Sequence, residues 1–457
     1  MVHNAVAVSA PGKVLLAGGY LCLDRTYTAL VFGLDARIHV VVRPIPTRRG
    51  VELSEIEVTS PQFQEAAWNY GYRLGGSGSG MSVTQLRMDA DLHVNRNVFI
   101  ETTLGYALSY ISAITSPTIT PASITILADN DYYSTPAAPA ATSTQPRFRD
   151  FGVKLRKAHK TGLGSSAALV TAITAAVLSY YLPSKLFDLD SDRSKRIIHN
   201  LAQAAHCAAQ GKVGSGFDVA SAVYGSCLYR RFSPTILSKS ADPGTSGFSK
   251  SLRELVEELP PHGQWNTEIH RDAVKVPKGL RLLMCDVSGG SETPGMVKKV
   301  LAWRQENPAE ANEIWSDLHA ANDSLAKELR AMAEAQDFGL ERLRSCFTRI
   351  RRGIKIMSEK SGVPIEPAEQ TELINACEAV PGVIGGVVPG AGGYDAISLL
   401  IEDREETVAA LQKLFDGWNV KSEHSGKVSI LGVRQDMQGV RVEQVDQYQE
   451  WLPPTSP

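Results

Sequence analysis

Hydrophobic and polar positions along the chain predict strands and helices that interleave from one end to the other. Val and Ile are frequent from Ala5 to Val14 and from Ala29 to Val42, as expected for buried strands. Apolar residues recur at helical spacing from 201 to 210 and from 310 to 360. Strands that interleave with helices are typical of an α+β or α/β enzyme.

One strongly apolar segment could be taken for a membrane span. It runs from Ala167 to Leu182, contains two threonines and a serine, and stops at Pro183. That is shorter than the roughly 20 residues that a helix needs to cross a bilayer. We therefore predict a buried helix of a globular domain.

The length of the chain and a polar stretch near its middle predict two domains. With 457 residues, 43% of them hydrophobic, the chain can fill more than one core. The stretch from Pro234 to Lys278 is polar and contains several Gly and Pro residues. We predict an N-terminal domain over 1–240, a linker or polar insert over 241–276 and a C-terminal domain over 277–457.

The charge balance argues against some classes of partner. Lys and Arg number 47 against 49 Asp and Glu, which gives a formal net charge of -2. A protein that coats nucleic acid or lies on an anionic membrane would be more basic, and no obligate protein partner is evident. The six cysteines lack zinc or disulfide-scaffold spacing, and the first residues lack a secretory or transit pattern, so we expect a cytoplasmic location.

The segment from Lys160 to Ala168, KTGLGSSAA, predicts an anion site at the start of the apolar helix. Gly162 and Gly164 let the backbone approach a ligand, and Ser165 and Ser166 fall where a helix N-terminus presents unpaired N–H groups. Together with the helix dipole and the lysine, this favours a nucleotide phosphate. The alternative is a serine-capped helix entry whose glycines serve close packing.

Two familiar phosphate-binding loops do not fit the sequence. Each Gly-Lys pair is followed by Val, so there is no Walker A loop. Residues 162–167 match the loose G-x-G-x-x-A pattern of dinucleotide sites, but the preceding KLRKAHKT is too basic for a buried parallel strand. We therefore disfavour a dinucleotide site.

A lysine and an aspartate in two other segments have the chemistry of phosphoryl transfer. Lys13 follows a predicted tight turn at Pro11-Gly12, and Asp218 comes just after a glycine loop in QGKVGSGFDVA. Aspartate can accept a proton or orient a nucleophile, and lysine can neutralise charge on the migrating phosphoryl group. Taken singly, each has a simpler explanation: a surface lysine with a buried stem, or a helix N-cap aspartate.

These motifs occur in the order APGK, GLGSSAA, the glycine turn that ends in Asp218, and PGAGGYDA, which resembles the GHMP kinases, a superfamily of small-molecule kinases. The resemblance implies an α+β fold with two domains. One is an ATP-binding domain like ribosomal-protein S5 domain 2, the other is a ferredoxin-like C-terminal domain, and the substrate lies between them. It places Lys13 and Asp218 beside the acceptor. It assigns the ATP phosphates to Lys160, Gly162, Leu163, Gly164, Ser165, Ser166, Ala167 and Ala168.

Finer features resemble the fungal and plant branch of that superfamily whose acceptor is 5-phosphomevalonate. They are AGGYLCLD after APGKVLL, Lys160 before TGLGSS, the QGKVGSGFDVA segment, ILADNDYYS and GAGGYD. This resemblance implies ATP and Mg²⁺ as cofactors and 5-diphosphomevalonate as product, in the mevalonate route to isoprenoids and sterols. The alternatives are another GHMP kinase, such as mevalonate kinase, and a nonenzymatic ligand sensor on the same fold.

The metal ion and the acceptor phosphate raise separate expectations. Many GHMP kinases hold magnesium with a loop serine and a glutamate, but the glutamate position here is Cys207, which leaves Ser165 or Ser166 with phosphate oxygens and water. Joining two phosphate-bearing anions needs several cations, so we expect Lys160 and Lys212 to discriminate for the phosphorylated acceptor. The acceptor contacts that we expect are Lys212 and Ser215, together with Ser291 and Thr293, which are implied by the resemblance of SGGSET at 288–293 to the Ser/Thr-rich substrate loop of the superfamily.

Overall fold

The computed structural model describes residues 4–46, 53–86, 96–115, 119–134, 146–288, 293–335, 339–421 and 427–453. Within these ranges the strands are β1 (Val6–Ala17), β2 (Ala29–Pro44), β3 (Glu55–Thr59), β4 (Ala67–Leu74), β5 (Met81–Gln85), β6 (Ala122–Ala128), β7 (Tyr133–Ser134), β8 (His159–Lys160), β9 (Cys227–Arg230), β10 (Glu268–His270), β11 (Leu280–Val287), β12 (Val383–Val387), β13 (Ala396–Glu402), β14 (Val428–Ile430), β15 (Gln435–Asp436) and β16 (Arg441–Glu443). The α-helices are α1 (Val98–Ile114), α2 (Ser165–Tyr181), α3 (Asp192–Gln210), α4 (Phe217–Tyr224), α5 (Phe248–Val256), α6 (Thr293–Glu306), α7 (Pro308–Ala335), α8 (Leu340–Ser361), α9 (Ala368–Glu378) and α10 (Glu405–Lys421).

The first sheet is built around two long antiparallel strands, β1 and β2. Strand β2 also pairs with β6 and β9, β3 runs parallel to β6, and the β4–β5 hairpin extends the sheet. From Ala29 to Val42 every residue of β2 except Asp35 is buried, as its continuous apolar run requires. Both long strands predicted from the sequence are confirmed.

The predicted tight turn at Pro11-Gly12 is wrong. Strand β1 continues through both residues, and its register against β2 shifts between Pro11 and Lys13, which marks an irregularity in the pairing. Proline lacks an N–H donor, so a strand tolerates it at such an irregularity. At Gly12 a Cβ atom would stand 3.0 Å from the carbonyl oxygen of Leu163. At this irregularity β1 lies directly against the loop that precedes α2.

Helix α2 is the buried helix predicted from the apolar segment. All residues from Val170 to Leu178 are buried, and the helix packs against β1, β2, α1 and α3. It begins at Ser165, at the end of the glycine loop. In the described ranges no helix is long and apolar enough to cross a membrane. The buried helix α2 thus holds the glycine loop at its N-terminal end.

The second sheet has four antiparallel strands in the order β12-β13-β11-β14. Its core joins Leu283 and Cys285 of β11 to Leu399 of β13 and Phe415 of α10. The helical pattern predicted from 310 to 360 is confirmed as the paired helices α7 and α8. The chain thus forms an α+β fold with two sheets.

Two segments link the second half of the chain to the first sheet. The stretch 241–276, expected as a linker or insert, contains α5, which packs on α1 and α3, and β10, which pairs with β9. Near the C-terminus, β15 pairs with β2 and β16 pairs with β1. The domain limits 1–240, 241–276 and 277–457 stay a prediction.

Candidate active site

A cavity of about 590 Å³ opens between the first sheet with its glycine loops and the second sheet with its helices. The first sheet's side contributes Lys13, the loop around Gly162 and the segment that ends in Asp218. The second side contributes Arg304 of α6 and Asp395, which lies just before β13. The cavity therefore brings together residues that are nearly 400 positions apart in the sequence.

Lys13 is fixed against the glycine loop by its backbone and its side chain. Its backbone N–H donates to the Leu163 carbonyl oxygen at 2.9 Å, and its Nζ donates to the Gly162 carbonyl oxygen at 3.0 Å. A Cβ atom on Gly164, which has a φ of +81°, would lie 2.9 Å from the Lys13 Cε. Glycine is required at this position both by the positive φ and by the lysine beside it.

Two carboxylates influence the Lys13 ammonium. Burial lowers the pKa of Lys13 from its ordinary value, and the charges of Asp218 and Asp395 act in the opposite direction. Asp218 lies in the first turn of α4, after Gly216, and its Oδ1 accepts from the Val219 N–H at 3.0 Å. The structure thus brings Lys13 and Asp218 to one cavity, as the motifs predict.

The glycine loop presents the N-terminus of α2. Gly162 and Gly164 both have positive φ, and Gly164 is the N-cap residue with no side chain capping the helix. The first-turn N–H groups of α2 are thus left without a side-chain acceptor, which suits an anion. The hydroxyl of Ser166 lies 3.1 Å from His206 Nε2, and Ser165 forms a side-chain hydrogen bond with Tyr133.

The two predicted lysines lie at different places. Lys212 and Ser215 line the cavity of about 590 Å³ with Asp218. We call it the main cavity because it contains Lys13 and Asp218. Lys160 lines two smaller cavities, of about 90 and 220 Å³, that share Trp68, Asn97, Leu155 and Lys160 itself. The smaller of these also touches Ser165 and Ser166, so the glycine loop separates the two lysines.

The loop that carries Lys212 is held by a buried arginine. The two Nη atoms of Arg231 donate to the carbonyl oxygens of Leu23, Val213 and Gly214 at 2.7, 3.1 and 2.7 Å. These three bonds fix the guanidinium against the backbone of the loop, and its positive charge remains at the wall of the cavity.

Some predicted residues are not placed. Ser291 lies outside the described residues. Thr293 begins α6, and only its backbone is described. Their role as acceptor contacts stays a prediction.

Sequence reasoning missed three residues of the cavity. The Tyr20 hydroxyl donates to the Ala391 carbonyl oxygen at 2.6 Å, which ties the end of β1 to the glycine turn after β12. Asp395 and Arg304 also line the cavity. Tyr20 and Asp395 stand inside motifs that the sequence singled out, whereas Arg304 lies in a helix of mixed charge with no local signal.

The described residues offer little protein ligation for a metal ion. They contain no group of three or more His, Cys, Asp or Glu side chains that could hold one. Cys207 accepts from Gln203 Nε2 at 3.2 Å, and burial raises the pKa of its thiol. A neutral thiol is a poor ligand for a hard cation, so oxygen ligands for Mg²⁺ would come from the loop serines, phosphates and water.

Comparisons with known proteins identify the family of the chain. Residues 141–226 match the GHMP kinases N terminal domain. The chain is 52% identical over 454 residues to the phosphomevalonate kinase ERG8 of Gibberella zeae, with 98% of this chain and 99% of that relative covered. It is 47% identical over 483 residues to the phosphomevalonate kinase of Aspergillus fumigatus, with 98% of each covered.

A solved structure supports the fold. The Streptococcus pneumoniae phosphomevalonate kinase in complex with phosphomevalonate and AMPPNP superposes with a TM-score of 0.60 at 15% identity, covering 94% of this chain and 100% of that one. At that identity the similarity speaks for the fold alone.

The match to the GHMP kinases N terminal domain and the full-length relatives show that the chain is a GHMP kinase. Within that superfamily the chain belongs to the phosphomevalonate kinase family. The α+β fold and the family expected from the motifs are confirmed. The roles of individual residues stay predictions.

Proposed function

We propose that the chain transfers the γ-phosphoryl group of ATP to the phosphate of 5-phosphomevalonate, giving ADP and 5-diphosphomevalonate. This is the reaction of its family, in the mevalonate route to isoprenoids and sterols. The observation that carries the proposal is the corner where Lys13, the glycine loop and Asp218 meet in one cavity. The acceptor phosphate and the end of the ATP phosphate chain can meet there.

The chemistry assigns distinct roles to the lysine and the aspartate. A phosphate oxygen of the acceptor attacks the γ-phosphorus, and the bond from that phosphorus to the β–γ bridging oxygen breaks. A phosphate monoester has a second pKa of about 6, so at neutral pH the acceptor needs orientation more than deprotonation. We assign this orientation, and acceptance of any remaining proton, to Asp218, and the offset of charge on the migrating group to Lys13.

The glycine loop is assigned to the nucleotide. The N–H groups at the start of α2, with Ser165 and Ser166, face the place where the β- and γ-phosphates would lie. Lys160 and the two smaller cavities continue from the loop on the side away from Lys212. Apolar walls that include Trp68 and Leu155 suit the adenosine part of ATP, so we place it there.

We assign the magnesium ion to the phosphates of ATP rather than to a full set of protein ligands. When bound, the ion would offset charge on the ATP phosphates. A serine hydroxyl at 165 or 166 is an oxygen ligand of the kind that suits this ion, and phosphate oxygens and water would complete its coordination.

A coupled ADP-release assay tests the function, with mevalonate and 5-phosphomevalonate offered side by side. The proposal expects turnover with 5-phosphomevalonate only. Turnover with mevalonate alone would identify a mevalonate kinase, and ATP binding without turnover of either acceptor would indicate a ligand sensor. The Asp218→Asn variant serves as the negative control for turnover, because the substitution keeps the shape of the cavity.

We also propose a cytoplasmic location and no nucleic acid, membrane or obligate protein partner. The near-neutral net charge supports the absence of nucleic-acid and membrane partners, since a surface for nucleic acid or anionic lipid would be more basic. Fractionation of cells that express a tagged full-length chain tests the location. Enrichment in an organelle fraction would contradict it.

A further inference from the structure

Arg304 on α6 lines the main cavity from the side of the second sheet, and its position is fixed by three neighbours. Its guanidinium lies 3.9 Å from the ring centroid of Trp315, which is fully buried. Its Nη2 donates to Asp24 Oδ2 at 2.6 Å, and its Nε donates to Asn312 Oδ1 at 3.3 Å. An arginine stacked and paired in this way has lost its conformational freedom before any ligand arrives.

The same side chain keeps donors for a ligand. Arginine carries five N–H donors and no acceptor. Among the described residues, no hydrogen bond leads from Nη1, and 21% of the side chain is exposed. Arg304 therefore keeps the two N–H groups of Nη1 for an anion, and its ion pair with Asp24 offsets part of its positive charge.

The acceptor of the proposed function has two anionic ends. Its phosphate must lie at the corner of Lys13 and Asp218, where the γ-phosphoryl group arrives. Its carboxylate, at the other end of a five-carbon chain, then needs a cation elsewhere in the cavity, because a charge taken from water without a partner costs much free energy.

The other cationic side chains that line the cavity have other partners or lie at other places. The two Nη atoms of Arg231 donate to three backbone carbonyl oxygens. Lys13 is bound to the glycine loop, and Lys212 lies on the loop that leads to Asp218. Among the described residues that line the cavity from its second side, Arg304 is the cation.

We propose that Arg304 binds the C1 carboxylate of the acceptor, an inference that rests on the proposed function. Trp315 and Asn312 hold the guanidinium plane, and Asp24 aims it. Asp24 is itself held, since its Oδ1 accepts from the Thr26 N–H at 2.9 Å. Arginine matches a carboxylate better than lysine does, because its planar fork has fixed N–H directions.

The test pairs the Arg304→Met variant with two acceptors. One is 5-phosphomevalonate, and the other is the analogue in which a hydroxymethyl group replaces the carboxylate. Loss of a charge-assisted hydrogen bond should raise KM for 5-phosphomevalonate by roughly 10- to 150-fold, while KM for the analogue and for ATP stay within about twofold. Arg304→Lys should recover part of the loss.

Equal rises in KM for both acceptors would overturn the proposal, because Arg304 would then serve the phosphate or the shape of the cavity. Asp24→Asn tests the alternative that Arg304 serves only to form an ion pair with Asp24. The proposal expects a much smaller rise in KM for 5-phosphomevalonate in this variant than in Arg304→Met. Equal rises in both variants would contradict the proposal. Lys299→Met removes a charge from an exposed position of the same helix and should leave both KM values unchanged. Wild-type turnover of 5-phosphomevalonate separates failure of this inference from failure of the proposed function.

Discussion

The two sides of the main cavity offer different groups to a ligand. On the side of the first sheet, the glycine loop offers backbone N–H groups at the start of α2, and Lys13 is fixed to that loop. On the side of the second sheet, charged side chains such as Arg304 and Asp395 come from separate elements. Backbone donors suit a phosphate chain common to all nucleotides, whereas placed side chains suit one particular acceptor.

The difference explains where specificity should reside. A loop of glycines and serines can serve many kinases, because it reads only phosphate oxygens. The opposite side and the Lys212 loop must distinguish an acceptor with a phosphate and a carboxylate from one without a phosphate. The variants below test this division, beginning with the largest expected effect.

Asp218→Asn should lower kcat by about 10² or more while ATP binding and folding persist, because an amide cannot accept a proton and orients the acceptor less well. Steady-state kinetics and nucleotide titration measure the two effects. Asp190→Asn, at an exposed position, is the matched control. A near-normal kcat in Asp218→Asn would remove this residue from the mechanism.

Lys212→Met and Lys160→Met should separate the two substrates. Loss of the Lys212 charge should raise KM for 5-phosphomevalonate by roughly 10- to 150-fold with KM for ATP nearly unchanged. Lys160, which lines the cavities beyond the loop, should mainly affect ATP. Methionine keeps the apolar stem, so the variants report charge rather than packing.

If both lysine variants raised only the KM for ATP, the division between the two sides would fail. The acceptor phosphate would then be held elsewhere, and the segment 288–293 would be the next candidate.

Gly164→Ala and Gly162→Ala test whether the glycine loop must leave room for the Lys13 side chain. Both glycines have positive φ, so alanine should cost about 1–2 kcal/mol of stability at either position. Only at Gly164 would the new Cβ press on Lys13, since nothing lies within 4 Å of it at Gly162. Thermal unfolding should therefore respond alike in the two variants, while kcat should fall roughly tenfold further in Gly164→Ala.

Equal kcat values in the two glycine variants would show that the contact between Gly164 and Lys13 is not needed for catalysis.

Asp395→Asn should shift the alkaline limb of the rate profile. Burial lowers the pKa of Lys13, so its charge and the activity that depends on it are lost as pH rises through a value below 10.5. Asp395 raises that pKa, and its removal should move the limb to lower pH. Asp446→Asn, at an exposed position, should leave the profile in place, and an unmoved limb in Asp395→Asn would contradict the account.

The sequence predicted the first side of the cavity better than the second. The glycine loop, the buried helix after it, and Lys13 with Asp218 each lie in a contiguous motif, so local physics could identify them. The turn at Pro11-Gly12 was mispredicted because local propensity gave no sign that β2 and the loop at Leu163 would hold β1 extended.

Arg304 and the division of the lysines could not be read from the sequence. Arg304 meets Asp24 across 280 positions, and its stacking on Trp315 depends on how α6 packs against α7. Lys160 and Lys212 look alike in their glycine-rich segments, and only the fold shows that the loop lies between them. Such contacts arise from tertiary packing, for which no local pattern exists.

A crystal structure of the full chain with a non-hydrolysable ATP analogue and 5-phosphomevalonate tests the central claim most directly. The account predicts the acceptor in the 590 Å³ cavity, with its phosphate about 3 Å from Lys13 Nζ, and the nucleoside in the cavities beyond Lys160. The two ligands would meet at the N-terminus of α2. A nucleoside in the main cavity, or an acceptor phosphate bound away from Lys13 and Asp218, would contradict it.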